Sequence, residues 1–174
     1  MSTVKRTLAA AAGVALAVAG IPGSALADDT SQQRLTVVVV QDISQPQPTF
    51  SRVVARGVID AVGTDVFRPS PEGDANSYST YVFRRGTLAI TTSPDRFDVV
   101  PDPVSCISRF TASGHWTVTG GTGAYRGAAG SGRLTATGVL RAQRTPQGCA
   151  QDRGISTGVV RATGRLALPS GTED

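Results

Sequence analysis

The sequence predicts an all-β protein folded as a single antiparallel up-and-down β-barrel of about eight strands. Strand-like segments recur at a spacing of roughly 8 to 12 residues with turn residues between them, as in small barrels and sandwiches. No segment after residue 27 has the apolar spacing of a helix over ten or more residues. The 20 glycines among 174 residues favour a barrel, because glycine relieves crowding where strands coil tightly. Closure also removes the open edges through which sheets aggregate.

The first 27 residues have the organisation of an export signal. A basic start (Lys5, Arg6) precedes an apolar stretch and the small-x-small cleavage site Ala25-Leu26-Ala27. The apolar stretch is shorter than the roughly 20 residues that cross a bilayer, and no later segment approaches that length. We therefore expect a signal peptide over residues 1–27, one barrel domain over 28–174, and a secreted, extracellular product with no membrane contact after cleavage. An uncleaved N-terminal anchor is the alternative.

The first part of the domain predicts three strands. Residues 35–41 are rich in β-branched side chains, as a buried strand is, and two prolines mark the loop at 44–49. Residues 53–67 alternate poorly between polar and apolar. Gly57 and Gly63 indicate bends within a curved pair of strands, which is what a small barrel requires.

The middle of the domain predicts a hairpin between two irregular segments. Residues 69–76 consist of turn-forming types and are expected to be a surface loop. Residues 78–84 and 87–92 form the hairpin, with Gly86 supplying the positive φ of a tight turn. The proline-rich residues 93–103 are expected to be a long connection that holds at most a short strand.

The last part predicts a second hairpin and a closing strand. Residues 107–119 and 132–143 are its two arms, joined by a glycine-rich segment. Residues 145–152, which contain Cys149, are expected to be a loop. Residues 153–168 are the final strand.

The connecting segment carries a family resemblance. It reads Gly-Gly-Thr-Gly-Ala-Tyr-Arg-Gly-Ala-Ala-Gly-Ser-Gly over residues 120–132. A nucleotide-binding loop needs a helix behind its glycines, whereas a strand pattern follows here. The segment resembles the glycine-rich hairpin of the allene oxide cyclase and dirigent-like β-barrel superfamily, and residues 80–90 resemble the preceding hairpin of its exported bacterial members. Tyr125 and Arg126 match positions of the motif and are interpreted as structural.

The resemblance implies a function but transfers no catalytic residue. Superfamily members include plant cyclases that act on an unstable epoxide fatty acid and dirigent proteins that steer phenoxy-radical coupling, and such barrels are often trimers. The resemblance therefore implies a small hydrophobic molecule bound in the lumen, cyclase or isomerase chemistry if the protein is an enzyme, and a homo-oligomer. The acidic and tyrosine residues that those proteins use do not align to motif positions here, so the catalytic residues are unknown.

The mature chain lacks most groups that common catalytic mechanisms need. Lys5, the single lysine, is expected to leave with the signal peptide, which excludes Schiff-base chemistry and Walker-type phosphate binding. His115 is the single histidine and the two cysteines lie far apart in sequence, so we expect neither a metal site nor a cofactor. No pair of aspartates has a distinctive spacing, and no Gly-x-Ser-x-Gly elbow precedes a helix, so hydrolase chemistry is poorly supported.

The charge distribution argues against a nucleic-acid partner. Of the 17 basic residues two lie in the signal peptide, which leaves 15 against 13 acidic ones. Arg84-Arg85 is the only adjacent basic pair after the signal peptide. No basic stripe of the kind that follows a phosphate backbone is therefore present in the sequence.

The two cysteines predict a disulfide. Both lie in the exported part of the chain, where an oxidising compartment favours pairing of an even number. A bridge between Cys106 and Cys149 would span 43 residues of sequence. The alternative, a nucleophilic cysteine with His115, needs a reduced thiolate and fits an exported chain poorly.

Strand parity predicts which side chains line the lumen. In the strand at 107–119, one face carries Cys106, Phe110, Trp116 and Val118, which we expect to point inward. The opposite face carries Arg109, Thr111, His115 and Thr117, so we expect Arg109 and His115 to face solvent. The residues predicted to contact a ligand are Tyr81, Phe83, Phe110 and Trp116.

Two alternatives stay open at this point. The predicted lining residues can equally fill a solid barrel core, in which case the protein is a non-catalytic extracellular scaffold or interaction module. Asp60 lies in an apolar run and points either outward or into the lumen, where its pKa would be raised.

Overall fold

The computed structural model describes residues 31–68, 70, 71 and 73–169, so the predicted signal peptide and its cleavage site lie outside the described residues. Within these residues the chain forms eight strands, one short 3-10 turn and no α-helix. The strands are β1 (Ser31–Asp42), β2 (Phe50–Gly57), β3 (Ala61–Arg68), β4 (Ser77–Phe83), β5 (Gly86–Asp102), β6 (Ile107–Gly121), β7 (Ala129–Thr145) and β8 (Gly148–Ala167). No helix long and apolar enough to span a bilayer occurs in this part of the chain.

The eight strands form one antiparallel sheet that closes on itself. Each strand pairs with the next along the chain, and β8 pairs with β1 from Ile155 to Leu166 along the whole of Ser31–Asp42. The result is a ring in which every strand has two neighbours over part of its length. The predicted all-β class and the single antiparallel sheet are therefore confirmed.

Two predicted loops are strands instead. Residues 93–103 are almost entirely part of β5, which continues to Asp102 and pairs with β6. Beyond Thr92, β5 has no paired strand on its β4 side within the described part of the chain, and proline is tolerated on such an edge because no ladder bond is lost there. Pro94 lies at a register shift.

The second wrong prediction concerns residues 145–152. β7 runs to Thr145 and β8 begins at Gly148, so the connection is a tight turn. Gly148 has a φ of +124°, a backbone conformation that glycine adopts readily. The turn-forming residues in this segment therefore belong to the tight turn of the β7–β8 hairpin and not to a long loop.

Other local predictions hold. β2 and β3 are the curved pair predicted over residues 53–67, with Gly57 (φ +126°) at the bend between them. Gly86 has a φ of +149° in the β4–β5 turn, as the hairpin pattern predicted. Its position also leaves no room for a side chain, because a Cβ there would lie 2.0 Å from the Thr122 carbonyl oxygen.

The strands differ in length, and this gives the ring an extension. β5, β6, β7 and β8 continue past the ends of β4 and β1 on the side of the β5–β6 and β7–β8 turns. We call residues 93–113 and 138–154 the extension. The opposite end of the ring, where the β4–β5 turn and the glycine-rich connection lie, we call the closed end.

Large side chains fill the ring interior towards the closed end. The buried side chains there include Leu35, Phe83, Leu88, Trp116, Tyr125 and Leu166. Phe83 and Tyr125 make an edge-to-face contact with ring centroids 5.6 Å apart. Tyr125 is thus structural, as its place in the glycine-rich connection suggested.

One polar side chain is buried in this packed layer. Gln33 is fully buried, and its amide nitrogen donates to the carbonyl oxygens of Arg56 and Ile59 at 3.0 and 3.2 Å. Its carbonyl oxygen accepts from the Ile59 backbone N–H at 2.8 Å. The side chain therefore satisfies backbone groups of the β2–β3 turn that would otherwise be buried without partners.

Two aromatic rings of β6 lie over pairs of glycines on β7 and β8. Trp116 covers Gly132 and Gly164, which are paired across the two strands, and a Cβ on either would lie within 2.8 Å of the indole. Phe110 covers the next glycine pair, Gly138 and Gly158. The Trp116 indole N–H donates to the Thr163 carbonyl oxygen at 3.2 Å. A side chain on Gly132, Gly138 or Gly164 would collide both with these rings and with the facing backbone.

The predicted disulfide is present. The sulfurs of Cys106 and Cys149 are 2.02 Å apart, and the bond joins the β5–β6 turn to the start of β8. It therefore ties the tip of the extension across β7.

Candidate functional site

The ring interior is open where the packed layer ends. A cavity of about 440 Å³, which we call the lumen cavity, is lined by inward side chains of seven strands, all except β2. Its walls include Val37, Val39, Leu134 and Val160. The volume lies within the range of about 300 to 1,000 Å³ that is typical of small-molecule sites.

Small side chains create this space. At the level of the lumen cavity β4 contributes Ser77 and Ser79, β6 contributes Ala112, and β7 contributes Ala136. Nearer the closed end the same strands carry Phe83 and Trp116, which fill the ring. The cavity is therefore set by the sequence of inward positions along each strand.

The lumen cavity contains one carboxyl group, that of Asp65 on β3. Ser51 on β2 fixes the backbone of this residue, because its hydroxyl accepts from the Asp65 N–H at 2.9 Å and donates to the Asp65 carbonyl oxygen at 2.8 Å. The Ser79 hydroxyl donates to Asp65 Oδ2 at 3.2 Å. Asp65 Oδ1 is buried and has no hydrogen-bond partner among the described residues.

Burial changes the acidity of this group. Loss of hydration raises the pKa of Asp65 from 3.8 to about 6, against the opposing effect of the Ser79 hydrogen bond. Tyr81 lies directly opposite Asp65 in the β3–β4 register and lines the same cavity. Burial, and secondarily the negative charge of Asp65, raise the pKa of the Tyr81 phenol. Among the groups that line this cavity, Asp65 is thus the one whose pKa is shifted towards neutral pH.

The sequence did not single out Asp65, because the valines of β3 face outward and the aspartate faces inward, which is the reverse of the usual arrangement. Val62 and Val66 point outward and are exposed, whereas Gly63, Asp65 and Phe67 point inward. Pairing sets this parity, since Asp65 lies opposite the buried Tyr81. The available signal was the alternation through Gly63 and Phe67, which places Asp65 on their face.

Asp60, the aspartate that the sequence singled out, lies elsewhere. It is in the β2–β3 turn, where its carboxylate pairs with the Arg56 guanidinium and both side chains are more than half exposed. Of the two orientations left open for Asp60, the structure has the outward one.

A second, larger concavity lies on the inner face of the extension. This trough, about 840 Å³ in volume, is lined by Phe97, Phe110, Leu140 and the Cys106–Cys149 disulfide among others. Phe97 and Phe110 stack with ring centroids 6.1 Å apart. Phe97 also lines the lumen cavity, so the trough and the cavity adjoin at this residue.

The four residues predicted to contact a ligand lie at different depths. Tyr81 lines the lumen cavity and Phe110 lines the trough. Phe83 and Trp116 belong to the packed layer and are not among the residues that line either space. All four share the predicted inward face, and ligand contact stays a prediction for each.

The outward face of β6 carries the polar residues that parity assigned to it. Arg109 and His115 are exposed. His115 Nδ1 lies 3.2 Å from Asp95 Oδ1 at the surface. Within the described residues, no three His, Cys, Asp or Glu side chains group as a metal site would require.

The chain matches no protein-family model, no curated protein and no solved structure.

Proposed function

We propose that this protein is an exported β-barrel that binds a small, mostly apolar molecule in the lumen cavity. The observation that carries the proposal is a cavity of about 440 Å³ inside the ring with apolar walls and one carboxyl group. Binding sites for small molecules have this composition, with few polar groups placed to orient the ligand. The cavity coexists with a filled closed end, so the aromatic residues there support the ring while the space beyond them stays open.

Membership of the allene oxide cyclase and dirigent-like superfamily is part of the proposal. The closed ring of eight sequential strands and the glycine-rich connection between β6 and β7 support it. The disulfide supports export, because such bonds persist in oxidising compartments. A homo-oligomer would follow the pattern of that superfamily.

If the bound molecule also reacts, Asp65 is the residue placed to move a proton. A general acid or base works best when its pKa lies near the working pH, and the pKa of Asp65 is about 6. Cyclisation or isomerisation of an apolar substrate would then use the Asp65 carboxyl, with the Tyr81 phenol beside it.

Native mass spectrometry of protein purified from its own host tests the binding proposal. A retained small molecule is the expected result. Ala136→Leu fills the lumen cavity from β7, whereas Thr135→Leu adds the same side chain on the exposed face of that strand. Loss of the retained mass in Ala136→Leu, with retention in Thr135→Leu, would place the ligand in the cavity. Equal retention in both variants would place it outside.

A second candidate function is a non-catalytic interaction module. The observation that favours it is an outer face of β3 and β4 on which Val62, Val66 and Val82 are exposed. Monomeric proteins rarely expose large contiguous apolar patches. A double variant, Val62→Lys with Val66→Lys, should disperse any assembly seen by light scattering. A wild-type chain that is monomeric at high concentration would count against this candidate.

A further inference from the structure

We infer that the ligand of the lumen cavity carries a hydrogen-bond donor and no anionic group, and that its polar end is a protonated amine bound by the Asp65 carboxyl. The inference rests on the proposed function and adds the chemical class of the molecule.

The first argument is charge. Among the described residues that line the lumen cavity, Asp65 is the only charged one, and no arginine or histidine faces it. The arginines of the neighbouring strands, such as Arg52 on β2 and Arg161 on β8, are exposed on the outer face. A carboxylate or phosphate brought into the cavity would lose its hydration, gain no cation and meet Asp65 at close range.

The second argument is the hydrogen-bond inventory of Asp65. An ionised carboxylate offers about four acceptor sites. Ser79 supplies one donor, at 3.2 Å, and Oδ1 has none among the described residues. The carboxylate is therefore poorly satisfied, and an ammonium group that approaches it from the cavity would add a charge-assisted hydrogen bond. Ser77 and Tyr81 line the same cavity and carry hydroxyl groups, which can accept hydrogen bonds from a donor.

The third argument is the shape of the space around the carboxyl. The cavity that holds Asp65 is also lined by Val39, Phe67 and Phe97, and Phe97 is shared with the trough. Beyond Phe97 the trough offers apolar side chains such as Val99 and Phe110 next to polar ones such as Ser108. A hydrocarbon attached to the amine would therefore find apolar side chains to contact both in the cavity and in the trough.

Three probes of equal length test the inference: octylamine, octanol and octanoate. Binding of each to the disulfide-intact secreted chain is measured by calorimetry at pH 7.5. We expect octylamine to bind most tightly, octanol less tightly, and octanoate not at all. The expected preference for the amine over the acid is at least tenfold, the scale of one charge-assisted hydrogen bond.

The matched variants are Asp65→Asn, which removes the charge in the cavity, and Asp60→Asn, which removes an exposed one at the β2–β3 turn. Asp65→Asn should lose the preference for octylamine over octanol, and Asp60→Asn should keep it. Binding of octanoate as tight as that of octylamine would overturn the inference while leaving cavity binding intact, as would an unchanged preference in Asp65→Asn. Binding of none of the three would refute the proposed function itself. Should Asp65→Asn fail to fold, the wild-type order of the three probes decides.

Discussion

Replacing Asp65 with asparagine should make the protein more stable at neutral pH and should change how its stability depends on pH. The pKa of this carboxyl is raised from 3.8 to about 6 because the ionised form is poorly hydrated in the folded protein. The folded state therefore binds the Asp65 proton more tightly than the unfolded state does. Stability contributed by this group is greatest below pH 3.8 and falls as the pH rises through 6.

The size of the effect follows from the pKa difference. About two pKa units at 1.36 kcal/mol each give a penalty of about 3 kcal/mol once the pH is well above 6. Asparagine has the shape of aspartate and can still accept a hydrogen bond from Ser79, so it removes the penalty with little change in packing. The free energy of unfolding of the variant, relative to wild type, should therefore rise by about 3 kcal/mol between pH 3.5 and pH 7.5.

Urea denaturation followed by fluorescence measures this difference, with Trp116 as the single tryptophan reporter. Trp116 is buried in the packed layer, so its emission should change on unfolding. Asp60→Asn is the matched control, since it removes an exposed aspartate. If the stability difference between Asp65→Asn and wild type is the same at both pH values, the carboxyl is not penalised by burial and the reasoning fails.

Three further predictions concern the fold. Gly164→Ala should destabilise the protein by roughly 1–3 kcal/mol or more, because its Cβ would lie 2.2 Å from the Ser131 carbonyl oxygen. Gly120→Ala, whose Cβ meets nothing nearer than 3.9 Å, should be close to neutral in the same urea assay. Equal effects of the two substitutions would contradict the packing argument. Replacing both Cys106 and Cys149 with alanine should lower the free energy of unfolding by up to about 4 kcal/mol under non-reducing conditions, the chain-entropy estimate for the loop they close, and an unchanged melting temperature would refute it. Gln33→Leu should cost about 1–3 kcal/mol, because the backbone groups at the β2–β3 turn lose their partner, whereas a neutral result would mean that water replaces the amide.

The predictions that succeeded depended on local chemistry. The valine run of β1 predicted a strand, Gly86 predicted a tight turn, and parity along β6 placed Trp116 and Phe110 inside. Each of these depends on a residue and its immediate neighbours. The disulfide between Cys106 and Cys149 could be predicted because the chain offers only one pairing.

The predictions that failed depended on distant partners. Prolines in residues 93–103 indicated a loop, but β6 provides a full-length neighbour and the free edge of β5 tolerates them. Asp65 was overlooked because the register of β3 against β4, and not the valines of β3, decides which face is inside. A one-residue shift in this register would reverse every side chain of β3, and the only local sign of the correct face is the alternation through Gly63 and Phe67.

The packed layer of side chains around Trp116 blocks the ring interior on the side of the closed end. The lumen cavity shares no lining residue with a separate pocket of about 390 Å³ at the closed end, which Ile59, Tyr125 and Leu168 help to line. A ligand is therefore expected to reach the lumen cavity from the trough, where the two spaces meet at Phe97. Ligand exchange should slow when a larger side chain is introduced beside Phe97, where the cavity meets the trough. It should be insensitive to substitutions in the glycine-rich connection between β6 and β7, which lies at the closed end.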